Sequence, residues 1–339
     1  KQDEWDIADK YIWDKAKEYK PPHPEERVRR IIRDCRNFMA KNKKDGATMR
    51  DIGDPRSMGE VADERKQERE LEKLAPGTGY KALDELIKGF VPGHLYTLTA
   101  ETNTGKTALA CNFAYRVSTQ YNQKVLYYSA EPGNKVVDYF ASIRTNKQYD
   151  DITDEDISFD DPNIKIYGKE QVETTAEFLS SLSSQKEHYG LVIVDHFAYF
   201  TRSEGKDNFY QSQADLLKQV AGLAKSQRMA VLIIAHPKKR DARSRNKMIT
   251  EDDISGSAAF KQDSTEVLIM TRDVKYKDEE KKDGGFMWLP RGWLCVAKTK
   301  SGMNGTIELV FSDRKATILT PEEQATGMFS GKGVEYNAN

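Results

Sequence analysis

The chain has 339 residues, room for one large α/β core of about 250 residues and an accessory segment. Charged residues make up 32% of it and hydrophobic ones 38%, but the net charge is −1, which excludes a global field for nucleic acid and leaves that work to local patches. Cys35, Cys111 and Cys295 stand apart, which excludes a CxxC zinc signature or a disulfide framework and points to a reducing compartment, and no apolar run approaches the roughly 18 residues of a membrane span.

With no signal-like apolar region either, a soluble cytoplasmic protein without a membrane partner is expected. Lys1 in place of Met is what a fragment or a processed form would carry. Residues 1–24 mix Trp5, Tyr11, Trp13 and Tyr19 with charges and break at Pro21, Pro22 and Pro24. From Glu25 to Lys43, the apolar residues Val28, Ile31, Ile32, Cys35, Phe38 and Met39 recur at helical spacing. A basic helix with one apolar face is predicted there, covered by the core or by a neighbouring subunit. Asp45 to Pro55 reads as loop. Ser57 to Leu74 reads as a charged helix with few apolar residues, either a solvated linker or an arm that docks on an adjacent protomer. Residues 1–75 are thus expected to form a helical N-terminal and linker segment.

After Pro76 and Gly77 short β-rich runs alternate with helical patterns, the sign of a mainly parallel sheet with helical crossovers. Strands are predicted at Leu95–Thr99, Lys124–Ser129, Ile164–Tyr167, Leu191–Asp195 and Ala230–Ala235, then at Glu266–Thr271, Trp293–Lys298 and Thr306–Phe311. Helices are predicted at Lys106–Gln120 and Gln211–Arg228, and Lys275–Gly285 reads as a solvated hairpin excursion. This gives an α/β core over 76–320 and a C-terminal tail over 321–339.

The chemistry starts at Ala100-Glu101-Thr102-Asn103-Thr104-Gly105-Lys106-Thr107, between the strand ending at Thr99 and a helix. A loop so placed aims successive backbone N–H groups and the positive end of the helix dipole at one spot, which suits a polyphosphate. Lys106 would reach the β- and γ-phosphates and the Thr107 hydroxyl would hold Mg2+. The P-loop pattern has Gly where Ala100 stands, a small change provided φ stays negative there. Leu191-Val192-Ile193-Val194-Asp195 is a buried strand ending in a carboxylate that would orient Mg2+ beside Thr107. His196 follows instead of an acid, so Glu131, just past another strand, is the candidate to polarise an attacking water.

The strand ending at Ala235 runs into His236, where an imidazole would sense a γ-phosphate. Beyond it, ten residues carry six positive charges, Lys238, Lys239, Arg240, Arg243, Arg245 and Lys247, against the single Asp241. With the small residues Ser255-Gly256-Ser257-Ala258-Ala259 they would let a backbone be gripped closely, as ATP-driven hold on a nucleic acid requires. Lys298 and Lys300, two apart where a strand meets a turn, would complete a phosphate site from a neighbouring subunit.

In this order the motifs resemble ring helicases of the DnaB family, in texture most similar to Twinkle and the phage primase-helicases. The similarity spans Gly77 to Phe311 and adds Thr78-Gly79-Tyr80, Leu83-Asp84, Gly89-Phe90, Gln262-Asp263 and Arg272-Asp273 to the motifs above. Ala100 also resembles the DnaB pattern. The resemblance implies a RecA-like P-loop NTPase core and a homohexameric ring with ATP, or another nucleoside triphosphate, and Mg2+ between subunits. It further implies single-stranded DNA through the centre, with a primase and a replicative polymerase acting in trans. By position, Ala100, Asn103, Thr104, Gly105, Lys106, Thr107, Ala108 and Arg272 would bind ATP, and Thr107 and Asp195 the metal. Glu131 would be the catalytic base and His236 the sensor. Lys238, Lys239, Arg240, Arg243, Arg245, Ser255, Gly256, Ser257 and Lys261 would meet DNA. The family's Lys-x-Arg finger reads Lys298-Thr299-Lys300 here, and lysine lacks the bidentate fork of arginine. Either Lys300 serves, or Arg272 or Arg291 compensates, or hydrolysis is slow. The alternative to a replicative helicase in a bacterial, phage-infected or organellar setting is a RecA-like regulatory, loader or recombination protein without unwinding.

Overall fold

A computed structural model describes residues 57–130, 132–204, 209–237, 257–276, 286–300, 302–312 and 314–327. The helix expected at Glu25–Lys43 lies outside them. The chain divides into two compact units, 1–64 and 65–339. Helix α1 (Met58–Lys73) runs through the boundary and carries no buried residue. Its ends are held locally, by the Glu60 N–H on Ser57 Oγ at one end and Lys73 on Glu70 at the other. Arg65 bonds Glu72 and Glu68 on its surface, exposed pairs that add little to stability because solvent screens them.

After α1 come α2 (Lys81–Ile87) and β1 (Leu95–Thr99), then α3 (Lys106–Tyr121), β2 (Val125–Ser129) and α4 (Gly133–Thr145). A short α5 (Asp154–Ile157), β3 (Ile164–Tyr167), α6 (Thr175–Ser183), β4 (Leu191–Asp195), α7 (Phe209–Gln227) and β5 (Val231–Ala235) follow. After α8 (Ser257–Asp263) come β6 (Glu266–Tyr276), β7 (Phe286–Lys298), β8 (Gly305–Phe311), β9 (Ile318–Leu319) and α9 (Pro321–Thr326).

One nine-stranded sheet has the order β3-β2-β4-β5-β1-β6-β7-β8-β9. The six strands from β3 to β6 are parallel and the last three antiparallel. Side chains alternate between two apolar layers, as the strand period of two demands. Tyr127, Ile193 and Leu232 face the layer with α3 and α4, while Tyr128, Val192 and Ile233 face the one with α6 and α7. Strands covered on both sides need apolar residues on both, which is why 191–194 of β4 and all of β5 read as unbroken apolar runs, while β1 is interrupted by the buried Thr97 and Thr99.

Three differences from the sequence reading have physical causes. First, β6 and β7 run longer than Glu266–Thr271 and Trp293–Lys298, because beyond the core they pair as a two-stranded ribbon, Val274 opposite Trp288 and Lys275 opposite Met287. Half-exposed ribbon residues need no apolar run. Most of the expected excursion, 277–285, lies outside the described residues. Second, the stretch expected as a tail opens with α9, started by Pro321 and by a Thr320–Glu323 capping box. Its Glu323 carboxylate accepts from buried Arg116 of α3 at 2.5 and 3.0 Å. Third, α2, α4 and α6 were not expected, since each shows its helical spacing in only two or three buried apolar residues, Leu83 and Ile87, then Val136, Phe140 and Ile143, then Phe178 and Leu182. A capping box at Thr174 and Glu177 starts α6.

Candidate nucleotide site

The parallel register brings four strand ends into one row. Thr99 of β1 stands opposite Ala235 of β5, and Asp195 of β4 opposite Ser129 of β2. The loop after β1 returns tightly enough to place two residues in the left-handed region, Asn103 at φ 63° and Gly105 at φ 107°. A Cβ on Gly105 would also come within 3.3 Å of the Phe311 ring, so glycine suits the position twice over. Ala100 stays out of that region and is fully buried, which meets the condition for a non-glycine residue at the loop entry.

Lys106 opens α3 and turns its ammonium back on the loop, donating to the carbonyls of Ala100 at 2.9 Å and Glu101 at 2.7 Å. Thr104 ties the same loop together through Glu101 O at 2.8 Å. Burial lowers the Lys106 pKa to about 8, against the opposing pull of Asp195 and Glu101. A cation parked on carbonyls beside the amides of a helix start is poised for an anion that would draw it off.

Asp195 is buried behind Lys106 and Thr107. Burial pushes its carboxyl above the usual carboxylate range, while hydrogen bonds from the Thr107 and Tyr127 hydroxyls and the charges of His196 and Lys106 pull the other way. The Tyr127 O–H donates to Asp195 Oδ2 at 2.8 Å. Across the edge, the His196 and His236 rings meet edge to face with centroids 4.7 Å apart.

Among the described residues no group of three or more His, Cys, Asp or Glu converges on a metal. The pair present, a hydroxyl bonded to a carboxylate beside an anion-ready loop, fits Mg2+, which takes about one or two protein oxygens and fills its shell with phosphate and water.

The profile of the DnaB-like helicase C terminal domain matches residues 77–319. The chain belongs to that family. It is similar to the replicative DNA helicase DnaC of Bacillus subtilis (strain 168), 24% identical over 257 residues, covering 69% of this chain and 54% of that protein. The replicative DNA helicase DnaB of Geobacillus stearothermophilus is 24% identical over 262 residues with the same coverages, 69% and 54%, so the chain spans about half the length of these relatives. Among solved structures, a DnaB-like replicative helicase described with its interactions with primase has a TM-score of 0.62 at 16% identity, over 83% of this chain and 70% of that one. A second solved structure, an ATPase domain, has a TM-score of 0.62 at 18% identity, over 79% of this chain and 99% of that one. These likenesses show the fold, the RecA-like core with its mainly parallel sheet.

Within this DnaB-like domain the other expected residues fall in different places. Arg272 lies beside the loop at one remove, its guanidinium 4.6 Å over the Phe311 ring that abuts Gly105, with Nε donating to Leu289 O at 2.5 Å. Ala108 lies in the first turn of α3, facing the core. Lys298 and Lys300 do not act as a pair within the chain. Lys298 donates to the carbonyls of Lys261 and Ser264 at the end of α8, while Lys300 is exposed on the following turn. Lys261 contributes that carbonyl and is half-buried, and Ser257 is seen as the first residue of α8. Glu131, Lys238, Lys239, Arg240, Arg243, Arg245, Ser255 and Gly256 lie outside the described residues.

Tyr127, His196 and Phe311 belong to the site and were not singled out from the sequence. For Tyr127 no local signal existed, since only the pairing of β2 with β4 brings its face beside Asp195. It shares a strand face with Ser129, which stands opposite Asp195.

Proposed function

We propose that this chain is the motor part of an ATP-dependent replicative DNA helicase, which hydrolyses ATP at the subunit interfaces of a homohexameric ring to move on single-stranded DNA and separate the duplex. One observation carries the reading: Lys106 and Thr107 at the start of α3 face the buried Asp195 carboxylate at the edge where the strands end.

The phosphates of ATP would lie on the loop amides at the N-terminus of α3, with Lys106 turning from its two carbonyls to the β- and γ-oxygens. The Thr107 hydroxyl, near enough to Asp195 to lower the pKa of its carboxyl, would offer its lone pairs to Mg2+. When bound, Mg2+ neutralises charge that develops on the phosphate oxygens. Glu131, two residues beyond Ser129, would take the proton of the attacking water, and His236 would donate to the γ-phosphate and lose that bond on hydrolysis. The basic run that begins two residues after His236 would carry the change to a DNA backbone. Lys300, exposed on its turn, is the cation available to a neighbouring subunit's phosphates. A primase and a polymerase would act in trans, in the cytoplasm of a bacterial or phage-infected cell or in an organelle. Among the described residues no helix is long and apolar enough to cross a membrane.

A second reading, an ATP-binding RecA-like regulator or loader that does not unwind, is favoured by Lys298, whose ammonium is committed to its own chain's carbonyls. Hydrolysis with and without single-stranded DNA, strand separation on a forked duplex and particle mass with ATP discriminate the two. The helicase reading expects DNA-stimulated hydrolysis, unwinding and a hexamer, all lost in Lys106→Ala except the DNA-free assembly. Hydrolysis without DNA stimulation or unwinding would leave the second reading in place.

A further inference from the structure

The phenol of Tyr127 is fully buried in β2, with its ring edge-on to Phe140 at 6.3 Å. Its O–H donates to Asp195 Oδ2 at 2.8 Å, and the Cys111 thiol of α3 donates weakly to the phenol oxygen at 3.8 Å. Packing alone does not call for that oxygen. A phenylalanine ring would fill the same space without the cost of burying a hydroxyl. The bond instead spans two neighbouring strands to the carboxylate that ends β4, whose pKa the Thr107 hydroxyl of α3 also lowers. The terminal torsion of an aspartate is broad and nearly two-fold, so a carboxylate without a fixed donor leaves its rotation open, and the phenol O–H narrows it.

We propose that Tyr127 is a positioning residue for the divalent cation of the nucleotide site: by holding Asp195 Oδ2 it sets the rotation at which the carboxylate meets Thr107 and the metal's inner waters. The inference rests on the reading of Thr107 and Asp195 as the metal side of an ATP site. Without the phenol oxygen, Asp195 turns toward the donors that remain, Thr107 and the Lys106 and His196 charges, and the cation loses an oriented acceptor. A hydrogen bond to a charged acceptor corresponds to roughly a tenfold change in binding.

The test uses the full chain, with Mn2+ as metal and a fluorescent ADP as nucleotide. Nucleotide affinity is measured in EDTA and in Mn2+, and Mn2+ binding to the nucleotide complex is followed by electron paramagnetic resonance. Tyr127→Phe is expected to keep its metal-free affinity and to lose about tenfold of the gain that Mn2+ confers, with the Mn2+ half-saturation rising by the same factor. The ratio of the two affinities is taken within one protein, so a smaller folded fraction cancels. Equal losses with and without metal would make the phenol a packing group only and overturn the proposal. Asp195→Asn, run alongside, is expected to lose most of the gain. If it does while Tyr127→Phe retains the full gain, the role of Tyr127 falls and the site reading stands. If Asp195→Asn retains the gain as well, the site reading falls and the proposal with it.

Discussion

Replacing Glu323 by alanine tests whether α9 belongs to the DnaB-like fold. Arg116 lies on α3, the helix that follows the loop 100–105, with its side chain 1% exposed and that of Glu323 15% exposed. Its guanidinium makes a two-pronged pair with Glu323, donates to Gly79 O at 2.7 Å and Ile318 O at 3.3 Å, and lies 3.9 Å over the Tyr80 ring. Removing one partner of a buried pair costs about 3–5 kcal/mol, because the remaining charge stays buried. Here two carbonyls still accept from Arg116 and water reaches the vacated place, so the lower end applies, about 3 kcal/mol. Part of that is the bond from the Thr320 N–H to the Glu323 carboxylate at 2.8 Å, whereas Thr320→Ala removes only the reciprocal bond from the Glu323 N–H and serves as the control for the cap. Urea unfolding of the two variants and the parent reads the difference as a shift of midpoint at constant slope. A companion change, Arg116→Met in the Glu323→Ala background, should recover part of the loss, since an apolar side chain leaves no buried charge. Metal-free nucleotide binding should change far less than stability, as Arg116 lies about three turns from Lys106. Should Glu323→Ala fall within about 0.5 kcal/mol of the parent, the pair contributes nothing to the fold and α9 is a tail after all.

Lys106 gives a pH dependence of definite sign. Its folded pKa of about 8 lies below the ordinary lysine value of 10.5, so between those values the unfolded chain binds more protons and this group makes stability rise with pH, its penalty being complete below about pH 8. A bound polyphosphate reverses the shift, so nucleotide binding near pH 9 should take up protons. Calorimetry in two buffers of different ionisation enthalpy measures this, and a binding enthalpy independent of buffer would contradict it. Gly302 sits where a Cβ would overlap the Leu86 carbonyl oxygen of α2, while the next residue's N–H donates to that same oxygen at 2.8 Å. Gly302→Ala should lower stability by about 3 kcal/mol and free the turn that bears Lys300, as backbone must move; an unchanged melting curve would refute it. Neutralising Lys238, Lys239 and Arg240 together should weaken DNA binding and flatten its salt dependence, the log–log slope falling by about 0.7 for each single-strand phosphate that is no longer neutralised. Equal slopes for parent and variant would mean that these cations meet no phosphate.

Much of the site could be read along the chain because its signals are local. Gly105-Lys106-Thr107 opens a helix, Asp195 and His236 end strands whose apolar runs report burial on both faces, and all of these lie within a few residues of the pattern that reveals them. Helix α9 was missed although its Thr-Pro-Glu-Glu start is just as local, since six residues with no buried member leave no apolar period to read. The outer halves of β6 and β7 were missed for the related reason that a half-exposed ribbon pairs through its backbone.

Other features have no local signal at all. Nothing near Arg116 in sequence says that a helical arginine is buried, because its partner is 207 residues away. Lys298 reads along the chain as a cation for a neighbour's phosphates, and only the fold brings the end of α8 against it. Tyr127 reaches Asp195 across 68 residues only because β2 and β4 pair in the register that sets Ser129 beside it. Periodicity along a chain reports which faces lose water, and so by itself it determined the strands, the loop and the residue types at the strand ends. Which polar group meets which across those faces depends on register and on close packing between distant segments, and only the tertiary structure decided it.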